Sequence, residues 1–167
     1  MISTAMAGYL KALYLLGQDR PGRSVTTGAL AGALGIAPPS ATDMVKKLAG
    51  LGLVEHRPQR GVTLTPAGAT LALRGLRHHR LLTCYLCAAL GYDRDAADDE
   101  ASRLAPAISD AVAARLDAAL GYPLTDPHGD PIPSREAIGP APACHPLALP
   151  ARRCPSTIPV PAGRDGR

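Results

Sequence analysis

Residues 26–64 read TTGALAGALGIAPPSATDMVKKLAGLGLVEHRPQRGVTL, and the order of patterns within them decides the fold. Thr26 or Thr27 is placed to cap a short helix with Leu30, Ala33 and Leu34 facing inward. Gly35-Ile36-Ala37 turns the chain. Pro38-Pro39-Ser40 then opens another helix, where proline is harmless because first-turn N–H groups have no helical partner. Its apolar stripe is Ala41, Val45 and Leu48, and it runs to about Gly50. Helix, tight turn, helix is the spacing of a helix-turn-helix. Leu53-Val54-Glu55-His56 and Val62-Thr63-Leu64 alternate as strands, and Arg57-Pro58-Gln59-Arg60-Gly61 between them is a basic turn. A hairpin directly after a helix-turn-helix is a wing.

The outward face of the second helix of this pair carries Ser40, Thr42, Asp43, Lys46 and Lys47. Small hydrogen-bonding groups near the helix start suit base edges, and ammonium groups further along suit phosphates. Pro39 shapes the entry of the helix into a groove. Arg57 and Arg60 at the wing tip suit a backbone or a minor groove. The expected partner is double-stranded DNA.

Outward from this core, Ile2, Met6, Tyr9, Leu10, Leu13 and Leu16 share one helical face over residues 2–16, with Gly17 and Pro21 at its end. Thr65-Pro66 caps a long helix over about residues 65–90 that carries Leu71, Leu73, Leu76, Leu81, Leu82, Leu86 and Leu90. Asp95 is a candidate cap for a helix over about 95–105, broken at Pro106, and Ser109 or Asp110 starts a last one ending at Leu120. The predicted fold is mostly α. Residues 1–64 form a winged helix-turn-helix, 65–122 a helical dimerisation unit, and 123–167 a Pro-rich, largely irregular tail. Two-fold operators call for a homodimer.

Charge and composition agree. The 167-residue chain has a formal net charge of +4. Residues 1–64 hold seven Lys or Arg against three Asp or Glu, so the basic excess lies in the reading head. Eleven of the 17 prolines fall in residues 123–167, which cannot continue a helical core, although Ile132 or Leu147 could pack on the body. Aromatics are 3% with no Trp or Phe, which argues against reading single strands by base stacking. No apolar run approaches a membrane span, no export signal is evident, and a cytoplasmic protein with reduced thiols is expected. No Gly-rich phosphate loop, nucleophile elbow or metalloprotease motif is present, so no enzyme is expected.

The chain resembles the metal-dependent repressors of the diphtheria toxin repressor and manganese transport regulator family. The similar stretches are Tyr9-Leu10-Lys11-Ala12-Leu13-Tyr14, Ser40-Ala41-Thr42-Asp43-Met44-Val45, Gly52-Leu53-Val54, Leu64-Thr65-Pro66-Ala67-Gly68, His79-Arg80-Leu81, Asp99-Glu100-Ala101 and Gly129-Asp130-Pro131-Ile132-Pro133. They run in order across about residues 5–135. The resemblance implies a winged helix followed by a helical dimerisation domain. It also implies repression switched by Fe(II) or Mn(II), with the metal coupling the first helix to the dimerisation domain.

The ligands implied by that resemblance fall on Gly8, Ser102, Ala105 and Pro106. Three of these have no side-chain donor, and a serine hydroxyl is a poor ligand for such cations. Coupling by iron or manganese is therefore expected to be weak or absent. An ancillary site is implied at His79, Thr83 and Asp98, of which His79 and Asp98 keep donor atoms. Cys84 and Cys87, three apart on the long helix near His78 and His79, are an alternative donor set for Zn(II) or Cu(I). The apolar flanks Tyr85, Leu86 and Ala88 favour the reading of both as small core residues over that donor set. Cys144, His145 and Cys154 lie in the Pro-rich tail. Two other readings stand beside repression: a dimeric protein-interaction scaffold without DNA selectivity, and a Zn or Cu sensor built on His79, Cys84 and Cys87.

Overall fold

A computed structural model describes residues 3–18, 24–57 and 59–138. Ile2, Pro21, Pro58, Leu147, Cys144, His145 and Cys154 lie outside the described residues. The chain runs α1 (Thr4–Gln18), α2 (Thr27–Leu34), α3 (Pro38–Gly50), β1 (Val54–Arg57), β2 (Gly61–Leu64), α4 (Pro66–Leu90), α5 (Arg94–Leu104), α6 (Asp110–Ala119) and α7 (Arg135–Ile138). Among the described residues no helix is long and apolar enough to cross a membrane.

The N-terminal unit closes on one apolar cluster. Leu10 and Leu13 of α1, Leu30 of α2, Val45 and Leu48 of α3, and Val54 and Val62 of the hairpin meet there, with Leu53 and Ala72. α3 buries Ala41, Val45 and Leu48, the i, i+4, i+7 stripe read from the sequence. In α2 the cap is Thr26, whose side-chain oxygen accepts from the Ala29 N–H at 3.1 Å. Its buried pair is Leu30 and Ala31, whereas Ala33 is exposed. The Leu30–Leu34 row faces inward either way, and which flank joins it depends on where α1 and α3 lie. Sequence spacing does not encode that.

The hairpin pairs Val54 with Leu64, Glu55 with Thr63, His56 with Val62 and Arg57 with Gly61. Its second strand gains a further neighbour in Val25, joined to Val62 by reciprocal N–H···O bonds of 2.9 and 2.8 Å. Gly61 sits at φ 94°, and a Cβ there would stand 2.7 Å from the Val25 carbonyl oxygen, so only glycine fits.

α4 is the axis of the molecule. Thr65 caps it, accepting from the Gly68 N–H at 3.1 Å and donating to the Gly52 carbonyl at 2.8 Å. One side packs against α1, and the C-terminal half packs against α5 and α6. Leu82 and Leu86 meet Ala97, Ala101 and Ala105, while Leu81 and Cys84 meet Ala113 and Ile132. The α5 cap is Asp93, which accepts from the Ala96 N–H at 2.9 Å, and not Asp95. Asp95 instead lies in the first turn, where a carboxylate favours the helix N-terminus. α1 continues past Gly17 to Gln18, because one glycine weakens a helix by only about 1 kcal/mol and does not stop it.

The first part of the Pro-rich segment is folded down onto α4. Ile132 and Ile138 are buried, and Thr125 and Pro131 form an isolated bridge. Asp126 organises the turn, accepting from the His128 and Asp130 N–H groups at 2.9 and 3.0 Å. Arg80 reaches into it from α4, lying 3.5 Å from the Asp126 carboxylate and 3.2 Å from that of Asp130.

Candidate nucleic-acid interface and interdomain crevice

Burying Ala41, Val45 and Leu48 turns the opposite side of α3 to solvent. Pro39, Ser40, Asp43, Lys46 and Lys47 are exposed there, and Thr42 is half-buried. The Thr42 hydroxyl donates to the Pro38 carbonyl at 3.0 Å, which leaves its oxygen lone pairs for an external donor. Lys46 lies 3.6 Å from the Asp43 carboxylate, one turn back on the same face. Both groups are well exposed, so the pair is weak and phosphate can displace the carboxylate.

Arg57 and Arg60 are exposed at the hairpin tip. Arg57 stands 3.4 Å from Glu55. Arg60 and Lys47 make no ion pair among the described residues. A hollow at the base of the tip is lined by Ser24, Glu55, Arg57, Arg60 and Thr63. Ser24 is a neighbour that the sequence did not suggest. It donates to the Arg60 carbonyl and so fixes the backbone on which that arginine stands. The signal for it was the Val25–Val62 pairing, which no local pattern announces.

The second region lies between α1 and the helical unit. Gly8, Ser102, Ala105 and Pro106, widely separated in sequence, line one small cavity of about 110 Å³. Lys11 and His79 line it as well. The His79 Nε2 is 3.0 Å from the Ser102 hydroxyl and 3.5 Å from the Asp98 carboxylate. The His128 Nε2 approaches the same carboxylate oxygen at 4.0 Å. Burial, reinforced by the Lys11 charge, holds His79 below its ordinary range, so the ring is neutral at pH 7. Burial likewise lowers Lys11, against the pull of Asp98. Thr83 is fully buried, with its hydroxyl donated to the His79 carbonyl at 3.0 Å.

Cys84 and Cys87 serve different apolar clusters. Cys84 packs with Leu81 and Ile132, and Cys87 against Leu82 and Leu86. Burial, with help from Asp126, pushes the Cys84 thiol up to about 11. That disfavours the thiolate that a metal would need. Among the described residues no group of three or more His, Cys, Asp or Glu is gathered as for a metal ion.

Comparison with known proteins bears on both regions. The family model described as the N-terminal DNA binding domain of iron dependent repressors matches residues 1–62. The one for their metal binding and dimerisation domain matches residues 65–134. An uncharacterized HTH-type transcriptional regulator of Methanocaldococcus jannaschii is 36% identical over 115 residues, covering 69% of this chain and 91% of that one. The diphtheria toxin repressor of Corynebacterium efficiens is 33% identical over 131 residues, 78% of this chain but 56% of its own length. The chain thus spans a little over half of that relative. A solved manganese-dependent transcriptional repressor in complex with manganese superposes with a TM-score of 0.72 at 42% identity, covering 82% of this chain and 62% of that one. With both halves matched in order and a relative covered almost end to end, the chain belongs to the iron-dependent repressor family.

Proposed function

We propose that this chain is a homodimeric transcriptional repressor that binds duplex DNA in the cytoplasm, and that it does so without iron or manganese as its switch. It is read as no enzyme. Residues 1–64 serve as the reading head and 65–122 as the dimerisation unit, followed by the Pro-rich residues 123–167, whose first part packs on α4.

The observation that carries the DNA reading is the division of α3. Its apolar stripe is locked into the core while Ser40, Asp43, Lys46 and Lys47 share the free face beside a wing bearing Arg57 and Arg60. With α3 in the major groove, Ser40, Thr42 and Asp43 meet base edges, with Pro39 at the groove entry. Lys46, Lys47, Arg57 and Arg60 neutralise flanking phosphates.

The crevice does not fit the metals that the family implies. Gly8, Ala105 and Pro106 supply no donor atom, and the Ser102 hydroxyl is engaged with His79. His79 and Asp98 would be the remaining ligands of an ancillary Fe, Mn or Zn site, and two donors make a weak one. A Zn or Cu sensor on His79, Cys84 and Cys87 is disfavoured by the raised Cys84 thiol and by the separate packing of the two cysteines.

Lys46→Ala and Arg60→Ala test this reading. Each should weaken binding to all duplexes and lower the slope of log affinity against log salt by about 0.9, the effect of one lost phosphate contact. Affinities and slopes equal to those of the parent in both variants would refute the assigned surface. A dimer that binds all duplexes alike would favour the scaffold reading.

A further inference from the structure

Away from the reading head and the interdomain crevice, the helical unit holds a second concentration of positive charge. Its origin is the period of α4. Arg74, Arg77 and His78 fall at i, i+3 and i+4 and so share one side of that helix. The first turn of α6 and the short α7 meet the same side, and the three elements border a small cavity of about 70 Å³. Arg135 of α7 lines it together with Asp110 of α6, while Ala113 and Ala114 offer it no polar side chain.

The polar groups around this cavity are only partly matched. Arg77 is engaged, donating to Asp117 at 2.5 Å and to the Pro133 carbonyl at 2.6 Å. Asp110 is shared, with one carboxylate oxygen 3.0 Å from the His78 Nε2 and 3.4 Å from the Arg74 Nε. The second of these contacts is an ion pair without hydrogen-bond geometry, and the Arg74 Nε is buried with no hydrogen-bond partner. A buried donor left in that state is unfavourable. Arg135 makes no ion pair among the described residues, and its neighbour Glu136 is exposed and stands outside the cavity lining. Three guanidiniums thus meet two carboxylates, Asp110 and Asp117, so one positive charge is left over whatever the state of His78.

We infer that this cavity is an anion site, taking a phosphate-sized oxyanion, either free or as the phosphoryl end of a small molecule. An oxyanion answers the surplus charge and offers acceptors in several directions, which one shared carboxylate oxygen cannot do. Guanidinium groups suit it through their paired N–H donors. Because Arg74 and Arg77 stand on α4 and Arg135 on α7, a bound oxyanion ties the last described part of the Pro-rich segment to the long helix. The site uses no residue of the reading head, so it stands or falls apart from the proposed DNA binding.

Titration calorimetry of the full chain with inorganic phosphate, and in parallel with glycerol phosphate, tests the assignment against chloride at matched ionic strength. A single saturable site per chain is expected, with slower hydrogen exchange in residues 135–138 when it is filled. Tighter binding of inorganic phosphate identifies the free ion as ligand, and tighter binding of glycerol phosphate identifies a phosphoryl-bearing molecule. Arg135→Gln should weaken binding about tenfold, the effect of losing one charge-assisted contact, and its exposed position leaves the fold intact. Arg74→Gln should weaken it as well. Arg103→Gln, which removes an exposed arginine of α5, should bind as the parent does. No saturable binding of either compound at millimolar concentration would overturn the inference. So would parent-like affinity in both Arg74→Gln and Arg135→Gln, or a loss in Arg103→Gln equal to theirs.

Discussion

Gly68 shows how tightly single residues fix the junction between wing and long helix. A Cβ placed on it would stand 1.9 Å from the Leu53 carbonyl oxygen, a backbone atom with no freedom to move aside. That carbonyl also accepts the Thr65 N–H at 3.1 Å, so the start of α4 is pressed onto the end of the α3–β1 connection. Gly68→Ala should destabilise the fold by about 1–3 kcal/mol, the usual range for overpacking, as measured by urea unfolding. An unchanged midpoint would mean that the two backbones do not meet. Thr65-Pro66 was legible in the sequence as a cap and first-turn proline, but the need for glycine two residues later was not. It arises from a contact across 15 positions, between Leu53 and Gly68, that no local propensity encodes.

At the scale of elements, α3 and α4 differ in how openly they are written. The α3 stripe of Ala41, Val45 and Leu48 follows from helical period alone, and its free face follows from the stripe. α4 has buried residues on nearly every side of its middle, including Arg77, His78, His79 and Arg80. Four consecutive charged or polar residues read naturally as a solvent face. They are buried because different elements close over each: α6 and Pro133 over Arg77, α6 over His78, α5 over His79 and the Asp126–Asp130 turn over Arg80. Arg77 donates to Asp117 at 2.5 Å and to the Pro133 carbonyl at 2.6 Å, and Arg80 holds the Asp126–Asp130 turn. The composition of residues 123–138 hides these partners: proline removes donors, yet its carbonyls and the neighbouring carboxylates still accept. Asp117→Ala leaves the Arg77 charge buried without its carboxylate and should cost about 3–5 kcal/mol, the usual range when one partner of a buried pair is removed. Thermal unfolding would show the loss, and a Tm equal to that of the parent would place the Arg77 guanidinium in water.

At the scale of the whole molecule, the reading head and its bearing were legible, but the means of holding them together was not. Gly8, Ser102, Ala105 and Pro106 were identified singly as positions without useful metal donors, and the structure gathers them in one crevice. A two-fold dimer sets two α3 helices one duplex turn apart, or a multiple of it, and reads an inverted repeat. The most direct measurement is selection of duplexes from a random pool by the full chain, run in parallel with a chelator, with Mn(II) and with Fe(II). Metal-independent binding by a two-fold dimer predicts the same inverted repeat, enriched to the same degree, in all three. Enrichment only when metal is present, or no enriched sequence at all, would contradict it.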